Sequence, residues 1–388
     1  MKEIPLTKGM VALVDDEDYE RIIEAGPWHA GARSQTFYAQ SRKGGRHVYM
    51  HRLIADAYPG QDVDHVNGEG LDNQKANLRL CTRAQNLGNQ RKREGTSSFK
   101  GVCWSHNRWT AQMQARGRNH YLGRFSSEED AARAYDTAAL EAWGEFAKLN
   151  FPLRYHRKVC VVTGAREGVG KMVAEYFLAQ GATVVGMSRG PASIEHPRYE
   201  HLSVDIGRNE QVRAAFGEIG KAHGRIHALV NCAAVASSTF ALIMPVAGAE
   251  EMVMTNVLGL LYVSREAAKL MRREGGRIVN IGSIHSQIAP IGSSVYSATK
   301  SAQATMVKVL SKEFSSWNVT CNTLALSPIE TSMLRKSGTP DVIQAVIDGL
   351  TIPRLAEPDD VFNGIDFFLS DRSGFITGQC VYLGGVHE

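Results

Sequence analysis

Two groups of residues in this 388-residue chain have the types and spacing of catalytic side chains, and they require different chemistry. The first group is the adjacent pair Asp64-His65, followed by Asn77 and Asn86. Carboxylate and amide oxygens suit a hard divalent cation, and an imidazole with a near-neutral pKa can activate water. The sequence therefore predicts a metal-dependent hydrolytic site, with Asp64 and Asn86 as metal ligands and His65 as the general base.

The second group lies in the carboxy-terminal half. The glycine-rich segment Thr163–Gly170 (TGAREGVG) follows an apolar stretch and precedes a helical one. Glycines there let the backbone turn tightly and approach a pyrophosphate at a helix amino terminus. Tyr296 and Lys300 are four residues apart and share a helix face, where an ammonium can lower the pKa of a phenol. Ser283 ends a predicted strand and can reach the same carbonyl oxygen as Tyr296, so this group predicts proton transfer to a carbonyl beside a bound dinucleotide.

The chain is too long for a single ordinary core, and two or three domains are expected. After Asn150 the sequence alternates apolar strands and helices, which predicts a parallel sheet with crossover helices and a boundary near residues 154–157. The predicted strands and the first helix are Val159–Val162, Lys171–Gln180 (helix), Thr183–Gly186, His201–Val204, Ala228–Val230, Arg277–Ile281 and Thr320–Leu324.

The amino-terminal half has a different texture. Residues 1–60 read as short strands and turns with an amphipathic stretch over Met50–Tyr58. Residues 95–124 predict a meander of short alternating strands. Ser127 followed by three acidic residues predicts the start of a helix with a small-residue face.

Charge is concentrated in one segment although the net charge is only +4. Lys75–Arg124 contains eleven Lys/Arg residues and one acid, Glu94, which indicates a polyanionic partner; a solvated basic loop is the alternative. The six cysteines form no C-x-x-C pair and favour a reduced, cytoplasmic setting. The amino terminus has no apolar stretch of signal-peptide length, and no run of eighteen apolar residues is expected to span a membrane.

Residues 50–79 resemble HNH endonucleases of the phage homing type. The match includes Met50-His51-Arg52-Leu53-Ile54, Asp64-His65-Val66-Asn67-Gly68, Asp72-Asn73 and Asn77-Leu78-Arg79. The resemblance implies that His65 is the general base, that Asp64 and Asn86 bind Mg²⁺ or a similar ion, and that Asn77 braces the metal loop. His51 either contacts phosphate or packs inside a helix.

Residues 97–152 resemble the apetala-two/ethylene-response-factor DNA-binding domain, through Phe99-Lys100-Gly101-Val102, Tyr121-Leu122-Gly123 and Leu149-Asn150-Phe151-Pro152. That family places a three-stranded sheet in the major groove of double-stranded DNA with a helix packed behind it. Trp109 and Phe125 are expected to serve in the sheet core instead of, or as well as, contacting DNA. The implied DNA-facing residues are Lys100, Trp104, Arg108, Trp109, Arg116, Arg118, Tyr121 and Arg124.

Residues 157–385 resemble the short-chain dehydrogenase/reductase family. The resemblance implies Tyr296 as the acid/base, Ser283 as the orienting donor, Lys300 on the nicotinamide ribose and Asn256 in a proton relay. Ser188-Arg189 stands where NAD users carry an acid, which favours NADP over NAD, although Glu167 weakens this preference. The implied cofactor contacts are Thr163, Gly164, Arg166, Gly168, Val169, Gly170, Ser188, Arg189, Asp205, Asn231, Tyr296, Lys300, Ile329 and Thr331.

The sequence as a whole predicts a multidomain protein. Residues 1–94 form a small α+β HNH domain of the ββα-metal type, residues 95–154 a three-stranded sheet with a helix, and residues 155–388 an α/β Rossmann domain with a doubly wound parallel sheet. We expect an endonuclease fused to a reductase of a small carbonyl substrate that oligomerises through the reductase domain; family analogy suggests a substrate of 3-oxoacyl type. A DNA-binding protein that senses cofactor redox state, or a mobile nuclease module joined to a reductase without coupling, are the alternatives.

Overall fold

The computed structural model describes residues 1–33, 36–89, 95–115, 117–337 and 340–385. The chain divides into two compact units, Met1–Pro152 and Leu153–Glu388. The division falls just before the segment at which the strand and helix pattern of the sequence changes. Each unit has its own buried apolar clusters.

The first part of the amino-terminal unit consists of small antiparallel sheets and short helices. Its elements are β1 (Lys2–Pro5), β2 (Val11–Val14), α1 (Tyr19–Ala25), β3 (His29–Arg33), β4 (Thr36–Lys43), β5 (Arg46–Tyr49), α2 (Met50–Ile54), β6 (Asp62–His65), β7 (Leu78–Cys81) and α3 (Arg83–Gly88). Strands β3, β4 and β5 form one sheet, and β6 pairs with β7 as a hairpin. Ile22, Trp28 and Met50 are buried in the core that joins these pieces. The amphipathic stretch predicted over Met50–Tyr58 is helical only as far as Ile54.

The second part of this unit is a three-stranded antiparallel sheet with one long helix. The strands are β8 (Val102–Ser105), β9 (Arg108–Ala115) and β10 (Arg118–Phe125), and the helix α4 spans Glu128–Trp143. The Ser127 hydroxyl caps α4 by accepting a hydrogen bond from the Asp130 N–H, and three acids in the first turn complement the helix dipole. The small face of α4, with Ala131, Ala132 and Ala139 fully buried, packs close to the sheet.

The carboxy-terminal unit is a seven-stranded parallel sheet in the order β13-β12-β11-β14-β15-β16-β17. Its elements are β11 (Val159–Thr163), α5 (Gly168–Ala179), β12 (Thr183–Ser188), β13 (Tyr199–Ser203), α6 (Asn209–His223), β14 (Ala228–Asn231), α7 (Val246–Met252), a π-helical turn (Val253–Leu258), α8 (Gly259–Met271), β15 (Gly276–Ser283), α9 (His285–Ile288), α10 (Ser294–Glu313), β16 (Val319–Leu326), α11 (Ser332–Ser337), α12 (Pro340–Asp348), α13 (Pro358–Leu369) and β17 (Cys380–Tyr382).

Helices cover both faces of this sheet, as the Rossmann prediction requires. Val162 of β11 belongs to the apolar cluster that includes Val173 of α5, whereas its neighbour Val161 belongs to the cluster on the other face, with Phe216 of α6. Alternate residues of a strand point to opposite faces, so a strand covered on both sides is apolar throughout. The chain thus gives a doubly wound sheet in which the strand ends form one ligand-binding edge.

One helical stretch, Val246–Met271, is long and apolar enough to cross a membrane by length and composition alone. The sequence reading did not expect a segment of this kind. In the structure the stretch comprises α7, the π-helical turn and α8, and its residues Leu260, Val263 and Met271 are buried in the core against the sheet. A core helix and a membrane span meet the same compositional test.

Candidate functional site

The reductase triad lies where β15 ends and α10 begins. Tyr296 and Lys300 occupy successive turns of α10, and the Lys300 ammonium lies 5.7 Å from the centre of the Tyr296 ring. The Ser283 hydroxyl, at the last residue of β15, hydrogen-bonds to the Tyr296 side chain. The main-chain N–H of His285 also donates to the Ser283 Oγ at 3.2 Å. The structure therefore brings Ser283, Tyr296 and Lys300 together as the sequence predicts.

The pKa of Tyr296 differs from the sequence expectation. Burial raises this pKa above its ordinary value of 10, and the hydrogen bond to Ser283 opposes the shift only in part. Lys300 is buried as well, and burial lowers the pKa of its ammonium to about 8. The ammonium donates to the main-chain oxygen of Ile281 at 3.0 Å. The expected lowering of the phenol pKa by Lys300 is therefore not found; burial sets the direction of the shift, and Tyr296 carries its proton at neutral pH.

Asn256 lies in the π-helical turn, and all its hydrogen-bonding groups have partners in the protein. Its Nδ2 donates to the Val235 oxygen at 2.9 Å and to the Thr299 hydroxyl at 3.1 Å, and its Oδ1 accepts from the Val235 N–H at 2.8 Å. Its main-chain oxygen accepts from Gln303 Nε2 at 2.6 Å. The resemblance implied a proton relay; in this structure Asn256 anchors the chain after β14 to α10.

The glycine-rich turn between β11 and α5 brings backbone segments too close together for side chains at two of its positions. Gly164 has a φ of +69°, and a Cβ at this position would lie 2.9 Å from the Cα of Ala233. A Cβ at Gly170 would lie 2.3 Å from the main-chain oxygen of Gly164. Only glycine fits at either position, and the turn delivers the amino terminus of the twelve-residue helix α5 to the strand edge. This cradle fits the pyrophosphate of a dinucleotide.

The end of β12 carries the residues predicted to choose between NAD and NADP. The Arg189 guanidinium pairs with Glu251 Oε1 at 2.6 Å, and both side chains are substantially exposed. The Arg166 guanidinium lies against Gly190, since a Cβ on Gly190 would be 2.2 Å from Arg166 Nη1. The Ser188 hydroxyl donates to the Gly190 oxygen at 3.3 Å. Two cations, Arg166 and Arg189, therefore lie beside the end of β12.

The remaining cofactor candidates lie around the same edge. Thr163 Oγ1 donates to Asn231 Oδ1 at 2.5 Å and ties β11 to β14. Asp205 Oδ1 accepts from the Gly207 N–H at 3.0 Å, which shapes the turn after β13. Three other candidates are placed by backbone contacts and packing: Val169 packs against the core, Ile329 bridges to Ala356, and Thr331 lies about 3.8 Å from a Cβ built on Gly168.

The hydrolytic candidates lie on the β6–β7 hairpin and on α3. Asp64 Oδ2 accepts from Arg79 Nε at 2.8 Å and forms an ion pair with Arg79 Nη2 at 2.7 Å, and Asp64 Oδ1 accepts from Asn89 Nδ2 at 2.9 Å. Asn86 Nδ2 donates to Asp62 Oδ2 at 3.0 Å. The sequence paired Asp64 with Asn86; the structure pairs Asp64 with Asn89, because residues 86 and 89 are about one helical turn apart and face successive carboxylates of β6.

These side chains still fit a hard divalent cation. Asp64 supplies a buried carboxylate, and the amides of Asn86 and Asn89 face the carboxylates of β6. Rotation of either side-chain amide group by a half circle exchanges the positions of its nitrogen and its oxygen. The oxygen is an acceptor suited to Mg²⁺. The described residues contain no cluster of three or more His, Cys, Asp or Glu side chains arranged for a metal.

His65 is buried in an aromatic cluster. Its ring lies 5.0 Å from that of His51 and 5.6 Å from that of Tyr38, and its Nε2 is 3.4 Å from Asn73 Oδ1. Burial lowers the pKa of His65, so the imidazole is unprotonated and able to accept a proton. His51 is buried too, and burial lowers its pKa to about 3. The structure places His51 inside the packed core, one of the two positions that the sequence left open.

Asn77 contacts the loop that follows β6. Its Oδ1 accepts from the Asn67 N–H at 3.0 Å, and its Nδ2 donates to the Asp72 oxygen at 2.8 Å. Both partners are loop residues between the two strands of the hairpin. Asn77 therefore fixes the conformation of this loop.

The three-stranded sheet exposes most of the residues predicted to face DNA. Trp104, Arg108, Arg118, Tyr121 and Arg124 are exposed, and the exposed fraction of Tyr121 is 64%. Exposed arginines beside aromatic rings suit a nucleic-acid backbone and its bases.

Two residues of this prediction face inward. The Lys100 ammonium donates to the Gly88 oxygen at 2.7 Å and lies 5.8 Å from the ring centres of both Tyr135 and Trp143, so that burial lowers its pKa to about 8. Its prediction as a DNA contact is wrong for this structure, because its long stem reaches back under α4. Trp109 packs against the small core, as the alternative reading expected. Arg116 lies outside the described residues.

Comparison with known proteins assigns the carboxy-terminal half and one segment of the amino-terminal half. A family model described as Enoyl-(Acyl carrier protein) reductase matches residues 164–387, and one described as HNH endonuclease matches residues 48–87. The chain belongs to the short-chain dehydrogenase/reductase family. It also carries an HNH endonuclease domain, so the protein is an enzyme with two kinds of active site.

The relatives of this reductase match the carboxy-terminal half. The chain is 28% identical to the 3-oxoacyl-[acyl-carrier-protein] reductase of Vibrio harveyi over 59% of its own length and 96% of the relative. It is 34% identical to D-erythrulose reductase of Gallus gallus over 60% of its length and 96% of the relative. The structure of Thermoplasma acidophilum aldohexose dehydrogenase matches with a TM-score of 0.55 and 28% identity, covering 60% of this chain and 94% of that one.

Sequence reasoning missed three polar residues around the two sites. Gln303 holds the Asn256 oxygen, His285 supports Ser283, and Asn89 contacts Asp64. Gln303 could have been predicted from the sequence, because it lies three residues after Lys300 and the two are therefore neighbours on the surface of α10. Asn89 lies beyond the matched nuclease segment, and nothing in the spacing singles it out.

Proposed function

We propose that the chain combines an NADP-dependent reductase of small carbonyl compounds, residues 155–388, with a Mg²⁺-dependent site-specific DNA endonuclease, residues 1–94. Residues 95–154 are proposed to be a DNA-binding domain of the ethylene-response-factor type. The observation that carries the reductase proposal is the convergence of Ser283, Tyr296 and Lys300 at the strand edge beside the glycine-rich turn. Oxidation of NADPH by the full-length protein with a panel of ketones tests it.

The reductase chemistry follows from the protonation of these side chains. The reduced nicotinamide supplies the hydride when it is bound. Tyr296, which keeps its proton at neutral pH, donates that proton to the carbonyl oxygen, and Ser283 orients this oxygen through its hydroxyl. The phenolate left on Tyr296 is stabilised by the Lys300 ammonium 5.7 Å from its ring. The buried phenol is therefore in the protonation state that carbonyl reduction requires.

The names of two relatives indicate a substrate class for the reductase. One relative is named for a 3-oxoacyl thioester and another for D-erythrulose, both of which contain a ketone. A small ketone is therefore the proposed substrate, with 3-oxoacyl compounds among the candidates.

Replacing Arg189 with alanine is expected to raise the KM for NADPH by about 10- to 100-fold and to change the KM for NADH little, because a charged hydrogen bond to phosphate contributes about 1.5–3 kcal/mol. The Glu251→Gln variant releases Arg189 from its ion pair and is expected to lower the KM for NADPH. Steady-state kinetics with both cofactors measure the ratio. An equal loss with both cofactors would remove Arg189 as the discriminating residue.

The nuclease chemistry rests on the β6–β7 hairpin and α3. Asp64 with Asn86, or with Asn89 after rotation of its amide, would hold a divalent ion, which when bound neutralises charge on the scissile phosphate. His65, with its lowered pKa, accepts a proton from the attacking water. In the structure, the Arg79 guanidinium balances the charge of the Asp64 carboxylate.

The DNA-binding proposal predicts a salt dependence. Replacing both Arg108 and Arg118 with alanine is expected to reduce the slope of log affinity against log salt by about 1.8, since each lost phosphate contact removes about 0.9. Fluorescence anisotropy with labelled duplex DNA at several salt concentrations measures this slope. Removing the basic residue Lys221 of α6 serves as the matched control and is expected to leave the slope unchanged. A double variant with an unaltered slope would show that these arginines do not contact phosphate.

Two further expectations complete the proposal. The protein is proposed to be cytoplasmic, in keeping with its six free cysteines.

It is also proposed to form a homo-oligomer through the reductase domain. An apolar pocket of about 410 Å³ between the π-helical turn and α10, lined by residues such as Val253, Val257 and Ala298, is a surface that suits a second subunit.

A further inference from the structure

The reductase site contains one polar side chain that the mechanism above does not use. His285 opens the short helix α9 two residues after Ser283, and its imidazole meets the Tyr296 ring edge-on, with ring centres 5.3 Å apart and an interplanar angle of 80°. Its main-chain N–H fixes the Ser283 hydroxyl. His285 therefore contacts both residues that act on the carbonyl oxygen, Tyr296 through its ring and Ser283 through its main-chain N–H.

The hydrogen bonding of this imidazole is incomplete within the described residues. Its Nδ1 is enclosed and has no hydrogen-bond partner, whereas the ring as a whole is only partly buried, so that Nε2 remains accessible. Burial and the Lys300 ammonium both lower the pKa of His285, which keeps the ring neutral. A neutral imidazole has one N–H, and placing it on Nε2 avoids burying an unpaired donor. His285 thus presents an accessible N–H donor next to Tyr296.

We propose that His285 Nε2 donates a hydrogen bond to a hydroxyl on the carbon adjacent to the substrate carbonyl, and that the reductase substrates are hydroxyketones. This inference rests on the proposed reductase function and narrows its substrate class. The imidazole packs edge-on against the Tyr296 ring, with ring centres 5.3 Å apart, which places its donor beside the residue that binds the carbonyl oxygen. A neutral donor suits a hydroxyl oxygen, which carries no charge to be balanced.

The neighbouring loop has groups of the same kind. The Ser237 and Thr239 hydroxyls hydrogen-bond to each other at 2.9 Å, and the Thr239 N–H donates to the Gly292 oxygen at 2.7 Å. This contact joins the loop after β14 to the segment that leads from α9 to α10. The loop that carries these two hydroxyls is therefore fastened to the chain four residues before Tyr296.

Exposed apolar residues support a competing substrate. Phe240, Leu242 and Ile291 project into solvent from the same two loops. An acyl chain would cover such residues, which favours a 3-oxoacyl thioester. The two possibilities differ at His285, because an acyl chain gives the imidazole no hydroxyl partner. A comparison of substrates that differ by a single hydroxyl therefore separates them.

The test compares hydroxyacetone with acetone, each with NADPH and full-length protein, in the wild type and in His285→Phe. Wild type is expected to prefer hydroxyacetone, and His285→Phe to reduce the ratio of the two kcat/KM values about tenfold. His285→Gln, which keeps a side-chain N–H, is expected to restore part of the ratio. Gln287→Leu on the same helix α9 is the matched control and is expected to leave the ratio unaltered. Damage to the shared chemistry cancels in this ratio, so a purely structural role of His285 would leave it unchanged.

Each outcome has one meaning. An unchanged ratio in His285→Phe, with ketone reduction that still depends on Tyr296, overturns the inference but keeps the reductase proposal. A 3-oxoacyl thioester reduced better than hydroxyacetone by both wild type and His285→Phe overturns it in favour of the acyl substrate. Failure of the wild type to reduce any ketone with either cofactor removes the reductase proposal itself.

Discussion

Tyr296→Phe is expected to reduce kcat/KM for ketone reduction by about 10²- to 10⁴-fold, the contribution of a well-placed general acid. The change removes one oxygen atom from a ring that is held by α10 and by the edge contact with His285, so the fold is retained. Because the pKa of Tyr296 is raised by burial, the proton that it donates is present throughout the neutral range. Loss of reduced nicotinamide absorbance with a reducible ketone measures the effect.

A matched variant distinguishes loss of the acid from loss of a tyrosine hydroxyl in general. Tyr262→Phe removes the same atom from α8, at a residue outside the proposed site. Its activity should equal that of wild type. Binding of NADPH, followed by quenching of protein fluorescence, should persist in Tyr296→Phe, because the glycine-rich turn is untouched. If Tyr296→Phe retained full activity, Tyr296 would not be the acid.

The Rossmann half was largely predictable because its strands are apolar on both faces. Six strands were predicted, and five of them begin within one residue of their predicted start. The short edge strand β17, Cys380–Tyr382, was missed because three residues have no periodicity to detect. The spacing of Tyr296 and Lys300 predicted their shared helix face, since a helix repeats nearly every four residues.

Side-chain direction was less predictable than position. Lys100 was expected to face DNA because of its position in the ethylene-response-factor resemblance, yet its flexible stem turns the ammonium toward the Gly88 oxygen and two aromatic rings. Asn89 and Asn86 have the same amide, and only the position of α3 relative to β6 decides which one contacts Asp64. The pKa of Tyr296 depends on burial, which a pattern of spacing does not contain. Residue type and spacing therefore predict which groups meet, and packing decides their orientation and proton affinity.

His65→Asn is expected to reduce plasmid cleavage in the presence of Mg²⁺ by about 10²- to 10⁴-fold while DNA binding is retained. Asparagine has no basic nitrogen, but its side chain is polar and of similar size, which limits the cavity left beside Tyr38 and His51. Conversion of supercoiled to nicked plasmid, measured with the full-length protein, gives the rate. Thermal unfolding establishes that the aromatic cluster remains folded.

His47→Asn provides the matched control for the nuclease. His47 is exposed on β5, so the same substitution there removes an imidazole without disturbing the β6–β7 hairpin. Cleavage by this variant should match that of wild type, because His47 contacts none of the groups that hold Asp64. If His65→Asn nicked plasmid as fast as His47→Asn, a group other than His65 would accept the proton of the attacking water. Among the described residues, His51 is the imidazole in ring contact with His65.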